Sequence, residues 1–319
     1  MALLLNEENV SELLTMPEAI SAVENAFTAL ADGSGMNHPR ERFFLPQGVL
    51  HHMAAALPAE GVMGTKTYTS FRLGTRFFVQ LFSSETGELL AYIEGNKLGQ
   101  VRTGAATGVA AKYMSRGDAE SATIYGAGWQ AEAQAEALVC VRPGLRHLRV
   151  FSRDGLRAET FCQEMTRRLN IHCAPYTSAE AAGRETEIII CATSATQPFF
   201  HGEWLSPGDF VAAVGANRLS AQEADVETIA RADIVAVDDL VQAKTEAAEL
   251  IFAHEQRRLA WEQVVPLSAI ASGRVSGRET PEQITVFKSL GVALEDIAVA
   301  ALIYEKAKAQ GVGQEIPFR

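Results

Sequence analysis

Three small residues at a fixed spacing carry the first chemical signal in the sequence. Gly126, Gly128 and Ala131 follow the pattern G-x-G-x-x-A, between an apolar run and an alanine- and glutamate-rich stretch. The first glycine permits a tight turn, and the second lets backbone N–H groups approach a pyrophosphate at a helix N-terminus. Ala131 allows the helix to pack closely on the strand. Together the three residues predict a dinucleotide-binding loop.

The next apolar run ends in "VFSRD", which bears on the choice of dinucleotide. An NAD site usually places a carboxylate here to bind the ribose 2′-hydroxyl. Ser152 and Arg153 come first instead, and an arginine can pair with a 2′-phosphate that a carboxylate would repel. The sequence therefore favours NADP(H). NAD(H) stays possible, with Asp154 as the carboxylate and Arg153 solvated.

The elements that must position this loop show an alternating rhythm after residue 117. Apolar strands are predicted at "SATIYGAG", "HLRVFSR", "EIIICAT", "DFVAAVG" and "ADIVAVDD", and helices at Gln130–Val141 and Leu156–Leu169. Short apolar strands alternating with helices predict a parallel sheet covered on both faces. The fold class is α/β, with a Rossmann-type, doubly wound dinucleotide-binding domain.

The late position of the loop indicates that this domain is inserted into another one. Residues 117–285 are predicted to form the Rossmann domain, and residues 1–116 plus 286–319 a discontinuous α+β substrate and dimerisation domain. In the latter we expect a helix from about Thr15, two strands joined at Glu85–Gly87, and an alanine-rich helix with Arg102 at its start.

Charge and composition limit the partners of the 319-residue chain. With 28 basic against 39 acidic residues, the net charge of −11 argues against nucleic acid or an anionic membrane as the main partner. Four scattered cysteines, no signal-peptide pattern and no apolar run of membrane-spanning length predict a cytoplasmic protein. No cluster has metal-ligand spacing, so no metal is expected.

Several stretches together identify a family resemblance. These are "HPRERFFLPQGVLHHM", "GTKTYTS", "KLGQVRTGAATGVAAKYM", "GAGWQA" and "FKSLGVALEDIAVAA". Over almost its whole length the chain resembles the ornithine cyclodeaminase/mu-crystallin family. The resemblance implies a homodimer, and hydride transfer between a nicotinamide and the α-carbon of a small amino or imino acid.

The resemblance also implies the substrate site. The family's carboxylate-binding cations fall on Arg40, Lys66 and Arg102. Arginine matches a carboxylate with two parallel hydrogen bonds, which orients the neighbouring carbon toward the nicotinamide. Lys66 either holds the carboxylate or relays a proton at nitrogen.

A longer set of residues is implied for the cofactor. They lie in the glycine loop, at the ends of later strands and before the last helix. The predicted cofactor residues are Gly126, Ala127, Gly128, Trp129, Gln130, Ala131, Ser152, Arg153, Ala192, Thr193, Ser194, Val214, Gly215, Asn217, Leu290 and Gly291.

Two departures from the cyclodeaminase pattern favour a reductase. Cyclodeaminases carry a Glu and an Asp where this chain has His51 and Asn217, and an amide cannot act as a general base. Asn217 is also assigned to the substrate site. His51 is a candidate proton donor, with a packing histidine as an equal alternative.

The sequence thus predicts an NAD(P)H-dependent oxidoreductase acting on C=N or CH–NH bonds. It would reduce a small α-imino acid, such as Δ1-pyrroline-2-carboxylate or Δ1-piperideine-2-carboxylate, to the L-amino acid. An ornithine cyclodeaminase or an alanine-type dehydrogenase is the alternative within the family. A mu-crystallin-like protein that binds NADPH and a ligand with little turnover is the alternative of another class.

Overall fold

The computed structural model describes residues 1–317. In chain order the strands are β1 Ala2–Leu5, β2 Met36–Leu45, β3 Gly48–Leu57, β4 Val62–Phe71, β5 Gly74–Ser83, β6 Leu89–Glu94, β7 Ser121–Tyr125, β8 His147–Phe151, β9 His172–Tyr176, β10 Ile188–Cys191, β11 Phe210–Ala213, β12 Ile234–Val237, β13 Val264–Pro266, β14 Thr285–Lys288 and β15 Gln314–Ile316. The α-helices are α1 Glu7–Leu13, α2 Met16–Asp32, α3 Asn96–Met114, α4 Trp129–Val141, α5 Gly155–Leu169, α6 Ala179–Gly183, α7 Val226–Ala230, α8 Leu240–Glu246, α9 Ala248–Glu255, α10 Leu267–Ala271 and α11 Ala293–Gln310.

The chain divides into two compact units. Unit 1 contains residues 1–106 and 291–319, and unit 2 contains residues 107–290. The first border lies within α3, and the second follows β14. The domain limits predicted from the sequence, 1–116 with 286–319 and 117–285, stay a prediction about folding domains. Their last two residues, 318 and 319, lie outside the described part of the chain.

Unit 1 is built on a seven-stranded sheet in the order β15-β1-β6-β5-β4-β3-β2. The strands from β2 to β6 run antiparallel to their neighbours, whereas β1 pairs with β6 in parallel. The apolar helix α11 packs across β2 to β5, and α2 packs against α11. This arrangement places the start of α11 against the middle of the sheet.

Helix α3 begins earlier than the sequence predicts. Its first residue is Asn96, so Arg102 lies in the second turn and not at the start. The carboxylate of Glu7 accepts hydrogen bonds from the backbone N–H groups of Asn96 and Lys97, at 2.7 and 2.8 Å. The cap that starts the helix therefore comes from a distant helix, where no local motif could reveal it.

Unit 2 is an eight-stranded parallel sheet in the order β13-β12-β14-β11-β10-β7-β8-β9. Its central strands are buried along their whole length, as in sheets covered on both faces. The predicted strands and the two predicted helices, here α4 and α5, are present. β9, β13 and β14 were not predicted. The Rossmann-type class is confirmed.

Candidate active site and cofactor site

The glycine turn has the geometry that a phosphate-binding loop requires. Gly126 adopts φ +105°, and a Cβ there would collide with the carbonyl oxygen of Ala192. Gly128 is different, because its backbone is extended and a Cβ would meet nothing within 4 Å. Gly128 caps α4, so the space a Cβ would take lies open beside the helix N-terminus. These residues fit a dinucleotide pyrophosphate.

A cavity of about 620 Å³ opens at this turn, a size typical of small-molecule sites. Its walls come from the glycine turn, the end of β8, the start of α5 and the segment after β10. They comprise Gly126, Ala127, Gly128, Phe151, Ser152, Arg153, Arg157, Ala192, Thr193, Ser194, Ala195, Thr196, Gln197, Pro198 and Phe199. The cavity lies wholly within unit 2.

The segment after β8 and the first turn of α5 contribute cations to the cavity. Arg153 and Arg157 both line it, together with Ser152. Asp154 is the N-cap of α5, and its carboxylate accepts a hydrogen bond from the backbone N–H of Arg157 at 3.2 Å. The one carboxylate of "VFSRD" therefore serves the helix start. Arg157 was not predicted, although it lies on the first turn of the same helix.

The segments after β10 and β11 are tied together by the Glu223 network, which we define as Thr193, Gly215, Glu223, Glu249 and Lys288. The buried Glu223 carboxylate accepts from the N–H and hydroxyl of Thr193, at 2.6 and 2.7 Å, and from the N–H of Gly215 at 2.6 Å. Lys288 lies 3.2 Å from Glu249, both side chains being buried. Thr193 and Gly215 are thus positioned through a single carboxylate.

Burial has a large effect on this carboxylate. It raises the pKa of Glu223 to about 7, against the opposing charge of Lys288 and the hydrogen bonds from Thr193 and Gly215. The three hydrogen-bond donors around Glu223 lower its pKa, but none of them carries a charge. The group therefore titrates near neutral pH.

In unit 1, the Lys66 network consists of Lys66, Arg102, Glu295 and Asp296. Oδ1 of Asp296 accepts from Nζ of Lys66 at 2.6 Å and from Nε of Arg102 at 3.1 Å. Nη1 of Arg102 donates to Oε2 of Glu295 at 2.6 Å. All four side chains are buried. The two carboxylates lie in the first turn of α11, where the helix dipole favours negative charge.

Lys66 is fully buried, and its titration reflects this. Burial lowers the pKa of Lys66 to about 8, with the charge of Arg102 acting in the same direction and the carboxylate of Asp296 opposing it. Nζ lies 5.1 Å from the centroid of the Phe77 ring. The ammonium thus has a low-dielectric surrounding and can lose its proton near neutral pH.

Arg40 contacts the same part of unit 1 through the backbone just before α11. Its Nη2 donates to the carbonyl oxygen of Gly291 at 2.8 Å. Gly291 adopts φ +74°, and a Cβ there would lie 2.7 Å from Nη1 of Arg102. Gly291 is therefore located between the two guanidinium groups, and only glycine leaves both of them in place.

His51 lies on the sheet beside these cations. It is 8% exposed and stacks on Tyr68, with ring centroids 4.0 Å apart. Burial lowers the pKa of His51 to about 4, and the charges of Arg42 and Arg40 act in the same direction. Neither ring nitrogen has a hydrogen-bond partner among residues 1–317. The imidazole is therefore neutral at pH 7.

The predicted residues divide between the two units. Arg40, His51, Lys66, Arg102 and Gly291 lie in unit 1, and the other predicted residues lie in unit 2. Those that line the cavity are Gly126, Ala127, Gly128, Ser152, Arg153, Ala192, Thr193 and Ser194. Those outside its walls are Trp129, Gln130 and Ala131 in the first turn of α4, Val214, Gly215 and Asn217 after β11, and Leu290 after β14. No role follows for them from cavity geometry.

Sequence reasoning missed the acidic partners. Glu295 and Asp296 stand in "GVALEDIAVAA", where two acids interrupt an otherwise apolar helix. That interruption was the available signal, because an acid on a buried helix face needs a cationic partner. Glu223 gave no comparable signal.

No group of His, Cys, Asp or Glu among residues 1–317 could hold a metal ion. No helix there combines the length and apolarity needed to span a membrane.

The chain thus has a dinucleotide-type cavity in unit 2 and a buried cluster of cations and carboxylates in unit 1. Comparison with known proteins gives its family. The ornithine cyclodeaminase/mu-crystallin family matches residues 1–311, and the chain belongs to that family.

Three relatives are informative. A Δ1-pyrroline-2-carboxylate reductase of Bacillus cereus is 36% identical over 267 residues, which cover 83% of this chain and 79% of the relative. The structure of the Thermococcus litoralis Δ1-pyrroline-2-carboxylate reductase, in complex with NADH and L-proline, has a TM-score of 0.94 and 31% identity, covering 98% of this chain and all of that one. An archaeal alanine dehydrogenase dimer with bound NAD has a TM-score of 0.93 and 33% identity, covering 100% and 99%. The chain is an oxidoreductase of this family.

Proposed function

We propose that the chain is an NAD(P)H-dependent reductase that converts a small cyclic α-imino acid, Δ1-pyrroline-2-carboxylate or Δ1-piperideine-2-carboxylate, to the L-amino acid. The observation that carries the proposal is the buried cluster of Arg40, Lys66 and Arg102 in a family whose relatives include Δ1-pyrroline-2-carboxylate reductases. A buried cation cluster suits a small anion, since a carboxylate gains charge-assisted hydrogen bonds there.

The residues take different parts in this reaction. Arg40 and Arg102 bind the substrate carboxylate and orient the adjacent carbon. When bound, a reduced nicotinamide would supply the hydride for that carbon. Lys66 supplies a proton at the substrate nitrogen, and the aromatic rings of Tyr68 and Phe77 keep water from Nζ.

Two residues speak against deamination of ornithine. His51 is neutral and lacks partners for both ring nitrogens within residues 1–317, so it offers no carboxylate-like base. Asn217 does not titrate near neutrality. Reduction of an imine requires one proton and one hydride, and it needs no base to activate water for the expulsion of ammonia.

The substrate is tested with a panel of imino acids at 340 nm. We expect oxidation of NADPH with Δ1-pyrroline-2-carboxylate. In Arg102→Ala, kcat/KM should fall by about 30-fold or more, since a lost charge-assisted contact costs ~2 kcal/mol or more. Arg184→Ala, which removes an exposed ion pair with Glu180, is the control. Turnover only with pyruvate and ammonia would indicate an alanine dehydrogenase, ammonia from ornithine a cyclodeaminase, and tight binding without turnover a ligand-binding protein.

We infer a preference for NADP(H) from the cations at the cavity. Arg153 and Arg157 line the wall, and Asp154 is engaged as a helix cap. Arg153→Ala and Arg157→Ala should each weaken NADPH binding by ~10-fold and leave NADH binding within about twofold, since only NADPH carries the 2′-phosphate. Equal losses for both nucleotides would argue for NAD(H).

We also propose a cytoplasmic homodimer that uses strand β2. This strand forms an edge of the unit 1 sheet and exposes Phe43, Phe44 and Leu45, with Phe44 at 77% exposure. Exposed apolar edges of this kind favour association. Sedimentation analysis should give a dimer for the wild type and a monomer for Phe44→Glu, and a monomeric wild type would reject the proposal.

A further inference from the structure

We propose that Glu223 is a positioning residue for nucleotide binding, which holds both ends of one wall of the cavity in unit 2. That wall is formed by residues 192–199, all of which line the cavity, and we call them the wall segment. The inference rests on the proposed binding of a nicotinamide nucleotide in this cavity. It gives a task to a buried carboxylate that is not itself part of the cavity wall.

The side chain of Glu223 holds the first end of the wall segment. Its Oε1 accepts hydrogen bonds from the backbone N–H and the hydroxyl of Thr193, at 2.6 and 2.7 Å. The same hydroxyl accepts a hydrogen bond from the N–H of Ala195 at 3.1 Å. The carboxylate therefore fixes Thr193 and, through its hydroxyl, the next turn of the wall segment.

The backbone of Glu223 holds the other end of the wall segment. Its carbonyl oxygen accepts hydrogen bonds from the N–H groups of Phe199 and Phe200, both at 3.0 Å. Phe200 is fully buried and forms a parallel bridge with Ala224, the residue after Glu223. Because both ends of the wall segment are bonded to one residue, a shift of Glu223 displaces both of them.

The second carboxylate oxygen of Glu223 joins the wall segment to the end of β11. Oε2 accepts a hydrogen bond from the N–H of Gly215 at 2.6 Å. A Cβ at Gly215 would collide with the backbone of Thr193 and would lie 2.5 Å from Oε1 of Glu223. Glycine therefore allows the segment after β11 to pack directly against the carboxylate and the wall segment.

Glu223 is itself fixed by two buried charged residues. Its backbone N–H donates to Oε1 of Glu249 at 3.1 Å. Nζ of Lys288 lies 3.2 Å from Oε2 of Glu249 and donates to the carbonyl oxygen of Ala216 at 2.6 Å. These contacts anchor Glu223 to α9 and to the end of β14, which lie outside the cavity wall.

The hydrogen bonds to the wall segment are linked to the ionisation of Glu223. Burial raises the pKa of Glu223 to about 7, and the charge of Lys288 and the hydrogen bonds from Thr193 and Gly215 oppose this rise. These hydrogen bonds favour the ionised carboxylate, so by reciprocity the ionised carboxylate favours the bonded position of the wall segment. Nucleotide binding that needs this position therefore weakens as pH falls below 7.

Other titratable and charged side chains face Glu223 from the elements packed against it. They are Lys288 at the end of β14, Glu249 in α9 and Cys191 in β10. Lys288 and Glu249 pair with each other. Burial raises the pKa of the Cys191 thiol well above its ordinary value, so this group stays neutral between pH 6 and 8. A pH dependence that disappears when Glu223 is replaced by glutamine belongs to Glu223.

The experiment measures the Kd of NADPH by fluorescence titration of the wild type and Glu223→Gln at pH 6 and pH 8. Glutamine keeps the shape of the side chain but turns one acceptor oxygen into an NH2 group that faces N–H donors. The Kd of Glu223→Gln should be about 10-fold above the wild-type Kd at pH 8. At pH 6 this ratio should fall toward 1, because about nine tenths of the wild-type carboxylate is then protonated. The titration of the 2′-phosphate of NADPH cancels in the ratio.

Asp209→Asn is the matched control. Asp209 is a buried carboxylate immediately before β11, whereas Gly215 follows this strand, and burial raises the pKa of Asp209 to about 7 as well. Its Oδ2 accepts a hydrogen bond from the N–H of Ser206 at 2.8 Å, and Ser206 is not part of the cavity wall. Asp209→Asn should therefore leave the Kd of NADPH within about twofold of the wild-type value at both pH values.

Glu223→Asp separates the reach of the side chain from its charge. Aspartate keeps the carboxylate but is one methylene shorter, so it cannot keep all the contacts to Thr193 and Gly215. The Kd of NADPH should rise by about threefold or more at pH 8 and should still depend on pH. If Glu223→Gln does not fold, this variant decides the proposal, and a wild-type Kd at pH 8 would overturn it.

Hydrogen–deuterium exchange tests the same contacts without a nucleotide. At pH 8 the backbone N–H groups of Thr193 and Gly215 should exchange about 10-fold faster in Glu223→Gln than in the wild type. The buried N–H groups of β11 should keep their rates, which separates a local displacement from unfolding of the whole unit. In Asp209→Asn, Thr193 and Gly215 should exchange at the wild-type rate.

Each result decides a separate point. A wild-type Kd in Glu223→Gln at pH 8, an equal rise in Asp209→Asn, or unchanged exchange of Thr193 and Gly215 overturns the positioning role. A Kd ratio that is the same at pH 6 and pH 8 overturns the link to ionisation. If the wild type binds no nicotinamide nucleotide, the proposed function is rejected, and the exchange rates still decide whether Glu223 holds the wall segment.

Discussion

The Lys66 network and the Glu223 network contain the same kinds of groups in opposite arrangements. In the first, two cations meet two carboxylates directly, at 2.6 to 3.1 Å. In the second, Glu223 is surrounded by backbone N–H groups and a hydroxyl, and the lysine pairs with a different acid, Glu249. One network brings charges together, and the other uses a carboxylate to hold two chain segments.

The two networks also differ in which kind of group has a shifted pKa. In the Lys66 network a lysine falls to about 8, and in the Glu223 network a carboxylate rises to about 7. Burial causes both shifts, and the partners decide their size. A lysine next to competing cations is suited to release a proton, whereas a carboxylate bound by fixed donors is suited to a scaffold role.

The largest expected effect separates the two lysines. Lys288→Met leaves Glu249 buried without its cation, which should lower the free energy of unfolding by ~3–5 kcal/mol. Lys66→Met should cost less, ~1–3 kcal/mol, because Arg102 still contacts Asp296. Urea unfolding of both variants measures the two losses. Equal losses would remove the distinction between the networks.

A second test concerns pH. In the folded state the pKa of Glu223 is about 7, whereas its ordinary value is 4.5. Between these two pH values the folded protein keeps a proton on Glu223 that the unfolded chain has lost. The contribution of Glu223 to stability therefore falls as pH rises through this window, by on the order of 3 kcal/mol, and is level above it.

Glu223→Gln isolates this contribution, because the amide does not titrate. From pH 5 to 7.5, the free energy of unfolding of the wild type should fall relative to that of Glu223→Gln. Chemical denaturation across that range measures it. A constant difference would mean that Glu223 stays ionised, as in a network of direct ion pairs.

A third test separates the two glycines of the turn, of which Gly126 serves the backbone conformation and Gly128 leaves space for a ligand. Gly126→Ala should lower stability by ~1–3 kcal/mol, because φ is +105° and the methyl meets Ala192. Gly128→Ala meets no protein atom within 4 Å, so it should leave stability within about 0.5 kcal/mol. Its nucleotide affinity should nevertheless fall by ~10-fold or more. Thermal unfolding and fluorescence titration with NADPH distinguish the two, and unchanged affinity in Gly128→Ala would argue against a pyrophosphate at this turn.

The smallest expected effect concerns His51. His51→Ala removes the stacking on Tyr68 and should cost ~1 kcal/mol of stability. Because the imidazole is neutral above its pKa of about 4, the pH profile of kcat between 6 and 8 should keep its shape. A change of shape in that range would restore His51 as a proton donor and weaken the assignment of Lys66.

A feature can be predicted from the sequence when the residues that determine it lie close together along the chain. The glycine turn and the strands and helices around it lie in one contiguous stretch, and the structure has them there. The Lys66–Asp296 contact joins residues 230 positions apart, and a single sequence contains no signal for that pairing. The cations were predicted through family resemblance, whereas the carboxylates that match them were not.

The missed strands have a similar explanation. β14 has only four residues and ends in Lys288, a buried lysine whose partner Glu249 lies in helix α9. Its charged last residue distinguishes this short strand from the apolar strands that the sequence predicts. The start of α3 was misplaced because its cap, Glu7, is 89 positions away. In both cases a polar residue is explained only by a distant neighbour.

The pairing of β1 with β15 has a consequence for synthesis on the ribosome. Unit 1 draws its strands from the beginning of the chain and its last helix and strand from the end, with residues 107–290 made in between. At 5–20 residues per second, roughly 10–40 s pass before α11 can follow. Throughout that interval the nascent β4 carries Lys66 without Asp296, and we expect the unit 1 sheet to stay incomplete until α11 and β15 have been made.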